Sequence, residues 1–380
     1  MMLSYRFRLY PTEQQDKMLS KTMETCRRLY NRLLDERINT RIDFFEQKRQ
    51  LTTLRKTDKY LRTIHSQVMQ DVALRLDRTF QSFFAGLGRF PKFKRKGRYY
   101  SFTYPQMGGF QINNSRMRFS MIGSIKVRFH RPIEGRMKTC TIVRDVDQWF
   151  VCITVEVQKE IPTTKAKPPV GVDLGILSLA TLSDGTIIPN HKYLKRSIQT
   201  IKGLQRQQSR KAKGSHNREK AKIKLAKAWR KVRRQRNDAE HKASHYLAER
   251  YSTIVFENLS IDGMVKNHNL ASAILDATWG KLRQLTAYKA ERRGGWIILV
   301  EPSGSSQECS RCGMIVKKDL SIRTHHCPSC GLVLDRDVNA ARNILARGLE
   351  QAPVETEPLP VLRMGKFGRG SKKPTPLTGG

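Results

Sequence analysis

Acidic residues are scarce in this chain. Thirty-three Asp and Glu stand against 72 Lys and Arg among 380 residues, a formal net charge of +39 at pH 7. An excess this large is more than a solvated surface requires, and it implies a long polyanion as partner. Long apolar runs are lacking as well. No stretch approaches the roughly 18 residues needed to cross a bilayer, and Met1–Thr12 has no secretory apolar core. A membrane is thereby excluded as the polyanion, and the chain reads as intracellular and nucleic-acid-binding. Cysteine is sparse too. Of seven, Cys26, Cys140 and Cys152 stand alone in apolar patterns and read as reduced core residues. What is present in quantity is apolar content, 38%, enough to bury a core in two or three domains.

The other four cysteines are grouped. Cys309-Ser-Arg-Cys312-Gly is followed, after residues 313–326, by Cys327-Pro-Ser-Cys330-Gly. Two Cys-x-x-Cys knuckles at this separation match a tetrahedral four-thiolate zinc site, and Gly313 and Gly331 let the chain turn around the ion. A pair of disulfides is the alternative, which nothing else in an intracellular chain supports. His325 and His326 could each replace a thiolate, but with four cysteines at hand they read as loop residues.

Just beyond, Asp335 is placed to cap a helix opening at Arg336. On that helix Asp337 shares a face with Ala341, Ile344 and Gly348, so a carboxylate points the same way as the packing residues. Two Asp at a helix start can also reflect the helix dipole alone. Two further carboxylates sit in buried-strand patterns: Asp173 in Val170-Gly-Val-Asp-Leu-Gly175, and Glu257 at the end of Thr253-Ile-Val-Phe-Glu-Asn-Leu259. A carboxylate in such a setting needs a counter-charge, which can be a metal ion or a structural salt bridge.

In chain order, Tyr5, Phe7 and Leu9 alternate with Arg6 and Arg8 as a strand ended by Pro11. Thr12 and Gln15 form a capping box, opening a helix with Leu19, Met23, Cys26, Tyr30 and Leu33 on one stripe. A second stripe, Ile64, Val68, Val72, Leu76, Phe80 and Phe84, is closed by Gly86 and Gly88. Phe90–Tyr100 then interleaves cations with aromatics, a pattern suited to phosphates and stacked bases; Lys92, Lys94, Arg95, Lys96, Arg98 and Tyr99 are the candidate contacts. Period-2 segments at Ile125–Phe129, Thr139–Val143 and Trp149–Val155 predict a small antiparallel barrel that the first strand completes. Ile161–Pro169 reads as a linker. Beyond it, residues 177–188 predict a hairpin with an Asp184-Gly185 turn. Residues from about 195 to 250 predict a basic helical hairpin broken near Lys213–Ser215, with Leu225, Ala228, Trp229 and Val232 as its apolar stripe. Arg230, Lys231, Arg233, Arg234 and Arg236 are dense enough to call for an anion. A helix over Trp279–Arg293 and a strand over Trp296–Val300 lead to the cysteine knuckles, and the tail beyond about Gly348 reads as disordered without a partner.

Asp173, Glu257 and Asp337 thus fall on two strands and a helix of one mixed α/β domain. Phosphodiester hydrolysis uses such a set to hold two Mg²⁺ ions about 3.5–4 Å apart, and hard carboxylates suit that ion.

The Asp173 strand, Phe256-Glu257-Asn258, the double Cys-x-x-Cys and Asp337-x-Asn339-Ala-Ala, in this order, resemble the RuvC-type, RNase H-fold nucleases of the TnpB family, encoded by insertion sequences and related to type V CRISPR effectors. The similarity also takes in Tyr5–Pro11, Phe93-Lys, Asp238-x-x-His241-Lys242 and Tyr288-Lys289. It implies a prokaryotic, cytoplasmic and nucleoid-associated endonuclease, one protein chain per guide RNA derived from the transposon end, cutting double-stranded target DNA beside a short flanking motif. It implies a multidomain α+β chain: a wedge β-barrel (1–11 and 89–165), an inserted helical recognition lobe (12–88), a RuvC domain (170–308 and 333–348), a zinc-binding loop (309–332) and a tail (349–380). Catalysis would rest on Asp173, Glu257 and Asp337 with two Mg²⁺, and Cys309, Cys312, Cys327 and Cys330 would hold one Zn²⁺. Nuclease-inactive RNA-guided repressors typically lose one of the acids, all of which are present here. A DNA transposase shares the fold but not this branch. A Holliday-junction resolvase would leave the basic hairpin and the cysteine knuckles unexplained.

Overall fold

The structure, a computed structural model, describes residues 1–158, 167–302, 304–319 and 322–351. The chain divides into two units, residues 1–160 with 203–230 and residues 161–202 with 231–380.

The first unit opens on β1 (Met2–Tyr10), whose Tyr5, Phe7 and Leu9 are buried while Arg6 and Arg8 alternate with them. The capping box forms as the sequence predicts: Gln15 N donates to Thr12 Oγ1 and Thr12 N to Gln15 Oε1. It starts α1 (Glu13–Thr40), and the predicted stripe from Leu19 to Leu33 is buried. A second helix, α2 (Phe44–Thr57), capped by Asp43, has too weak an apolar period to be read from sequence. Helix α3 (Ser66–Phe84) buries Val68, Val72, Leu76 and Phe80, but Ile64 precedes it and Phe84 is 77% exposed, so the stripe is shorter than predicted.

Six strands follow: β2 (Ser101–Tyr104), β3 (Phe110–Asn113), β4 (Arg116–Phe119), β5 (Gly123–Arg128), β6 (Arg136–Asp145) and β7 (Gln148–Glu156). With β1 they form one antiparallel sheet in the order β2-β6-β7-β1-β5-β4-β3. The first strand does join, between β7 and β5. The sheet is a curled half-barrel rather than a closed barrel, because its edge strands β2 and β3 do not pair. Side chains link the β2 edge to β4 where a ladder would close it: the Tyr104 ring stacks on Phe119 and its hydroxyl donates to Ser120 O. Gly109 leaves the room this ring occupies, since a Cβ there would meet the ring's Cγ at 3.2 Å. Helices and sheet share one core, in which Leu19, Leu33, Val68 and Leu76 meet Phe7, Leu9 and Val151. Trp149 of β7 also donates its indole N–H to Asp16 in the first turn of α1.

The second unit is built on a five-stranded sheet of β8 (Val170–Asp173), β9 (Ser178–Leu182), β10 (Ile187–Pro189), β11 (Thr253–Glu257) and β12 (Trp296–Val300), in the order β10-β9-β8-β11-β12. The first three are antiparallel neighbours; β8, β11 and β12 are parallel. Burial on both faces explains why β11 reads as an unbroken apolar run. The β9–β10 turn is the predicted Asp-Gly one, with Gly185 at φ 90° and its N–H donating to Leu182 O. Between β10 and β11 run α4 (Tyr193–Ser209) and α5 (His216–Arg250), broken where the sequence indicated. After β11 come α6 (Ile261–Met264), α7 (His268–Ala277) and α8 (Trp279–Arg292). A small ladder of β13 (Thr324–His326) and β14 (Val333–Asp335) then leads into α9 (Arg336–Gln351). His325 and His326 therefore lie on a strand rather than in a loop. Most of the linker and most of the tail expected from sequence lie outside the described residues.

Helix α9 lies across β8, β9, β11 and β12. Two glycines permit the approach. A Cβ on Gly171 would collide with Ala341 O and lie 2.7 Å from Leu345 N, and one on Gly348 would lie 2.5 Å from Val255. The helix face predicted to pack does so: Ala341 and Ile344 are fully buried.

Candidate active site and metal centre

Asp173 ends β8, Glu257 ends the adjacent parallel strand β11, and Asp337 stands in the first turn of α9. Neighbouring strands that stop at the same edge, with a helix start laid against them, bring the three carboxylates together. Electrostatics register the proximity: burial, then the charges of Glu257 and Asp337, push the Asp173 carboxyl up to about 7, against the pull of Arg336 and Arg323. Burial likewise raises Glu257, although the Ser305 hydroxyl donates to its Oε1. Asp337 pairs with Arg323 at 3.5 Å. Asp335 is the cap the sequence indicated, accepting from the N–H groups of Asp337 and Val338 at 2.9 and 3.1 Å. The chemistry of this donor set, hard anionic oxygens of which Glu257 and Asp337 raise the proton affinity of Asp173, suits a divalent cation.

Sequence reading missed the cations beside the acids. Arg323 stands in the knuckle loop and meets Asp337 only when that loop folds back. Arg336 is buried and donates to Asp319 O at 2.9 Å, holding the same loop. Ser305 and Asn343 were likewise unmarked, and Asn339 was marked only by the Asp-x-Asn pattern.

The four cysteines converge. Cys309 and Cys330 Sγ lie 3.6 Å apart, as do Cys312 and Cys327 Sγ, and the four sulfurs lie within 4.8 Å of one another. These separations are far beyond the roughly 2.05 Å of a disulfide and near the ~3.8 Å edge of a tetrahedron with metal–sulfur bonds of about 2.3 Å. The two knuckles are built alike: Gly313 and Gly331 donate to the carbonyls of Cys309 and Cys327, with φ of 75° and 67°. The cluster could hold a metal ion. Among the described residues no other group of three or more His, Cys, Asp and Glu is as tight, and His325 and His326 are outside it.

The basic candidates divide. Lys92, Arg95, Lys96 and Arg98 are exposed, in a segment anchored at Lys94, whose N–H donates to Asn31 Oδ1 and whose carbonyl accepts from Arg27 and Asn31. Lys94 itself lies over the Tyr30 ring. Tyr99 packs against the core, so it is not the stacking residue; Phe93 and Tyr100 are exposed instead, with Phe84 and Phe90 nearby in sequence. In α5, Arg230 is buried, donating to Asp145 O and Asp147 Oδ1 at 2.8 and 2.6 Å, and Arg236 pairs with Asp276. The anion that each calls for is supplied by a carboxylate of this chain. Against the cost of burial, the hydrogen bonds of Lys227 and Arg230 hold Asp147 down at about 2. Trp229 is 39% exposed and leaves the predicted stripe. Lys231, Arg233 and Arg234 face outward. No helix among the described residues is long and apolar enough to cross a membrane.

Fold and site together define a protein that acts on nucleic acid, with a carboxylate cluster on a mixed α/β sheet beside a four-thiolate knuckle. Family models match in the same places: the IS605 OrfB family, described as a probable transposase, over residues 152–268; a Cas12f1-like TNB domain over 279–344; and a helix-turn-helix domain over 1–41. A Streptomyces pristinaespiralis protein named as an RNA-guided DNA endonuclease is 34% identical over 98% of this chain and 96% of its own. InsQ of Escherichia coli K12, likewise named, is 31% identical over 91% and 92%. The chain belongs to the TnpB (IS605 OrfB) family. Among solved structures it is similar to a mini-RNA-guided endonuclease, CRISPR-Cas phi3, at 10% identity and a TM-score of 0.46 over 94% of each chain, too distant to bear on the chemistry.

Proposed function

We propose that this chain is an insertion-sequence-associated, RNA-guided DNA endonuclease that hydrolyses phosphodiester bonds with Asp173, Glu257 and Asp337. The observation that carries the reading is the convergence of these three carboxylates from three separated segments, at a position where burial and then the charges of Glu257 and Asp337 lift Asp173 to about 7. Its whole-length relatives bear that name, whereas the transposase name comes from a family description and from a relative matched over 48% of this chain. The sheet order, with β8 central and α9 across it, supports the reading of this unit as an RNase H-like RuvC domain. The half-barrel would be the wedge and the helices of residues 12–88 the recognition lobe.

The carboxylates would hold two Mg²⁺. Two such ions stabilise both the attacking and the leaving oxygen of an in-line displacement. The chain's own residues do the rest. Ser305 fixes one oxygen of Glu257, Arg323 lies beside Asp337, and the N–H groups held by Asp335 start α9 at the position that presents Asp337. The four cysteines would hold one Zn²⁺ with no open position for water, which makes that site structural. Guide RNA from the transposon end and double-stranded target DNA beside a flanking motif are the polyanions the net charge calls for.

The test uses purified ribonucleoprotein, a matching duplex and Mg²⁺. Asp173→Ala, Glu257→Ala and Asp337→Ala should each lower cutting by several orders of magnitude while RNA binding persists, because loss of transition-state charge stabilisation is the largest single deficit such a site can suffer. Asp335→Asn should cut nearly as well as the unaltered chain, since asparagine caps about as well as aspartate. An unaltered protein that binds target and never cuts it would favour a repressor.

A further inference from the structure

The four-thiolate knuckle and the carboxylate site are joined by a buried chain of hydrogen bonds. Asn339, fully buried on α9, accepts from Ser310 N at 2.9 Å and donates to Glu308 O at 2.7 Å, so it grips the backbone on both sides of Cys309. One turn further along α9, Asn343 donates to the same Glu308 O at 2.7 Å and to Ser305 O at 2.8 Å. Ser305, 6% exposed, then donates its hydroxyl to Glu257 Oε1. The side chains of Asn339, Asn343, Ser305 and Glu257 are buried, and these links satisfy polar groups that would otherwise be costly to bury. A surface loop needs none of this; Ser305 is held at backbone and side chain at once.

We propose that Ser305 and Asn343 are positioning residues for Glu257, through which the knuckle fixes the orientation of that carboxylate. The knuckle then sets the cation affinity of a site built by other elements. A carboxylate with one oxygen committed to a hydroxyl presents the other in a single direction, and the orientation is established before any cation arrives. The inference rests on the metal-dependent reading of the carboxylates.

The test titrates Mn²⁺ into the full chain without nucleic acid, following bound ion by electron paramagnetic resonance, with bound zinc measured on the same samples. A hydrogen bond to a charged group is worth about 1.5–3 kcal/mol, so Ser305→Ala should weaken Mn²⁺ binding about tenfold or more. Zinc content should stay at that of the unaltered chain and the melting temperature within a few degrees. Ser305→Thr, which keeps the hydroxyl, should recover most of the affinity, and Asn343→Ala should act in the same direction as Ser305→Ala. In cutting assays the Ser305→Ala loss should fall on kcat with KM little changed. Equal Mn²⁺ affinity in Ser305→Ala and the unaltered chain would overturn the relay and leave the nuclease reading standing. So would a loss that Ser305→Thr fails to recover, or one that merely follows loss of zinc. Mn²⁺ uptake that is the same in Asp173→Ala as in the unaltered chain would overturn both.

Discussion

At the scale of single residues, charge alone misleads and partners decide. Arg230 and Lys231 are neighbours in one basic run, and sequence gives no reason to separate them. Arg230 is buried against Asp147 and the Asp145 carbonyl, whereas Lys231 is exposed. Arg230→Ala should therefore destabilise the chain by about 2 kcal/mol, as lost hydrogen bonds to a charged group do, and Lys231→Ala by next to nothing. Urea unfolding of the two variants measures this; equal midpoints would refute it. Asp173 and Glu257 were legible for the opposite reason. A carboxylate inside Val-Gly-Val-Asp or Val-Phe-Glu breaks an apolar pattern, and that conflict is visible without coordinates. Arg323, Arg336 and Ser305 break no pattern, and only folding brings them to the acids.

At the scale of elements, the capped helices and the strands with a strict period were legible, because each carries its signal within a few residues. The Thr12 cap, the Asp184-Gly185 turn and the break between α4 and α5 all appear where their chemistry requires. The closed barrel was not correct, since strand alternation says nothing about whether two edges meet. The short β2, β3 and β4 were not read at all. The α9–sheet contact yields a sharp prediction: Gly171→Ala places a methyl against the backbone of α9, which cannot yield as a side chain would. Overpacking of this kind costs about 1–3 kcal/mol or more, and thermal unfolding should show a drop of several degrees. A second prediction concerns α8 and α5. Burial, with Arg293 nearby, lowers Lys289 to about 8, and its ammonium donates to His241 O and Ser244 Oγ on α5. Between about pH 8 and the ~10.4 of a free lysine, the unfolded chain binds a proton that the folded one lacks, so this residue's contribution to stability rises with pH across that window. Relative to Lys289→Met, the unaltered chain should gain melting temperature from pH 7.5 to 10. A flat difference would mean that Lys289 titrates as an exposed lysine does.

For the whole molecule, the net charge of +39 identified a polyanion before any motif did, yet it could not say which cations meet it. The exposed run Lys92, Arg95, Lys96 and Arg98 remains the candidate. Replacing all four by Gln should reduce the slope of log affinity for RNA against log salt by about 3, at roughly 0.7–0.9 per phosphate contact. Fluorescence anisotropy across a salt series measures it, and an unchanged slope would place these charges in solvent. The same replacement at Arg230 and Arg236 should cost stability and leave the slope alone, since both are already neutralised within the chain.

The position of α9 has a consequence in time. Asp173 and Glu257 lie on adjoining strands, but Asp337 comes from a helix that follows both by many residues and is laid over the finished sheet. A growing polypeptide therefore completes β1 to β7 and the exposed basic segment long before it completes the set of three acids. On the proposed function, the chain being made would carry its polyanion-binding segment before its cutting site. On the same reading, a fragment that stops short of residue 337 should compete for the guide and leave DNA uncut.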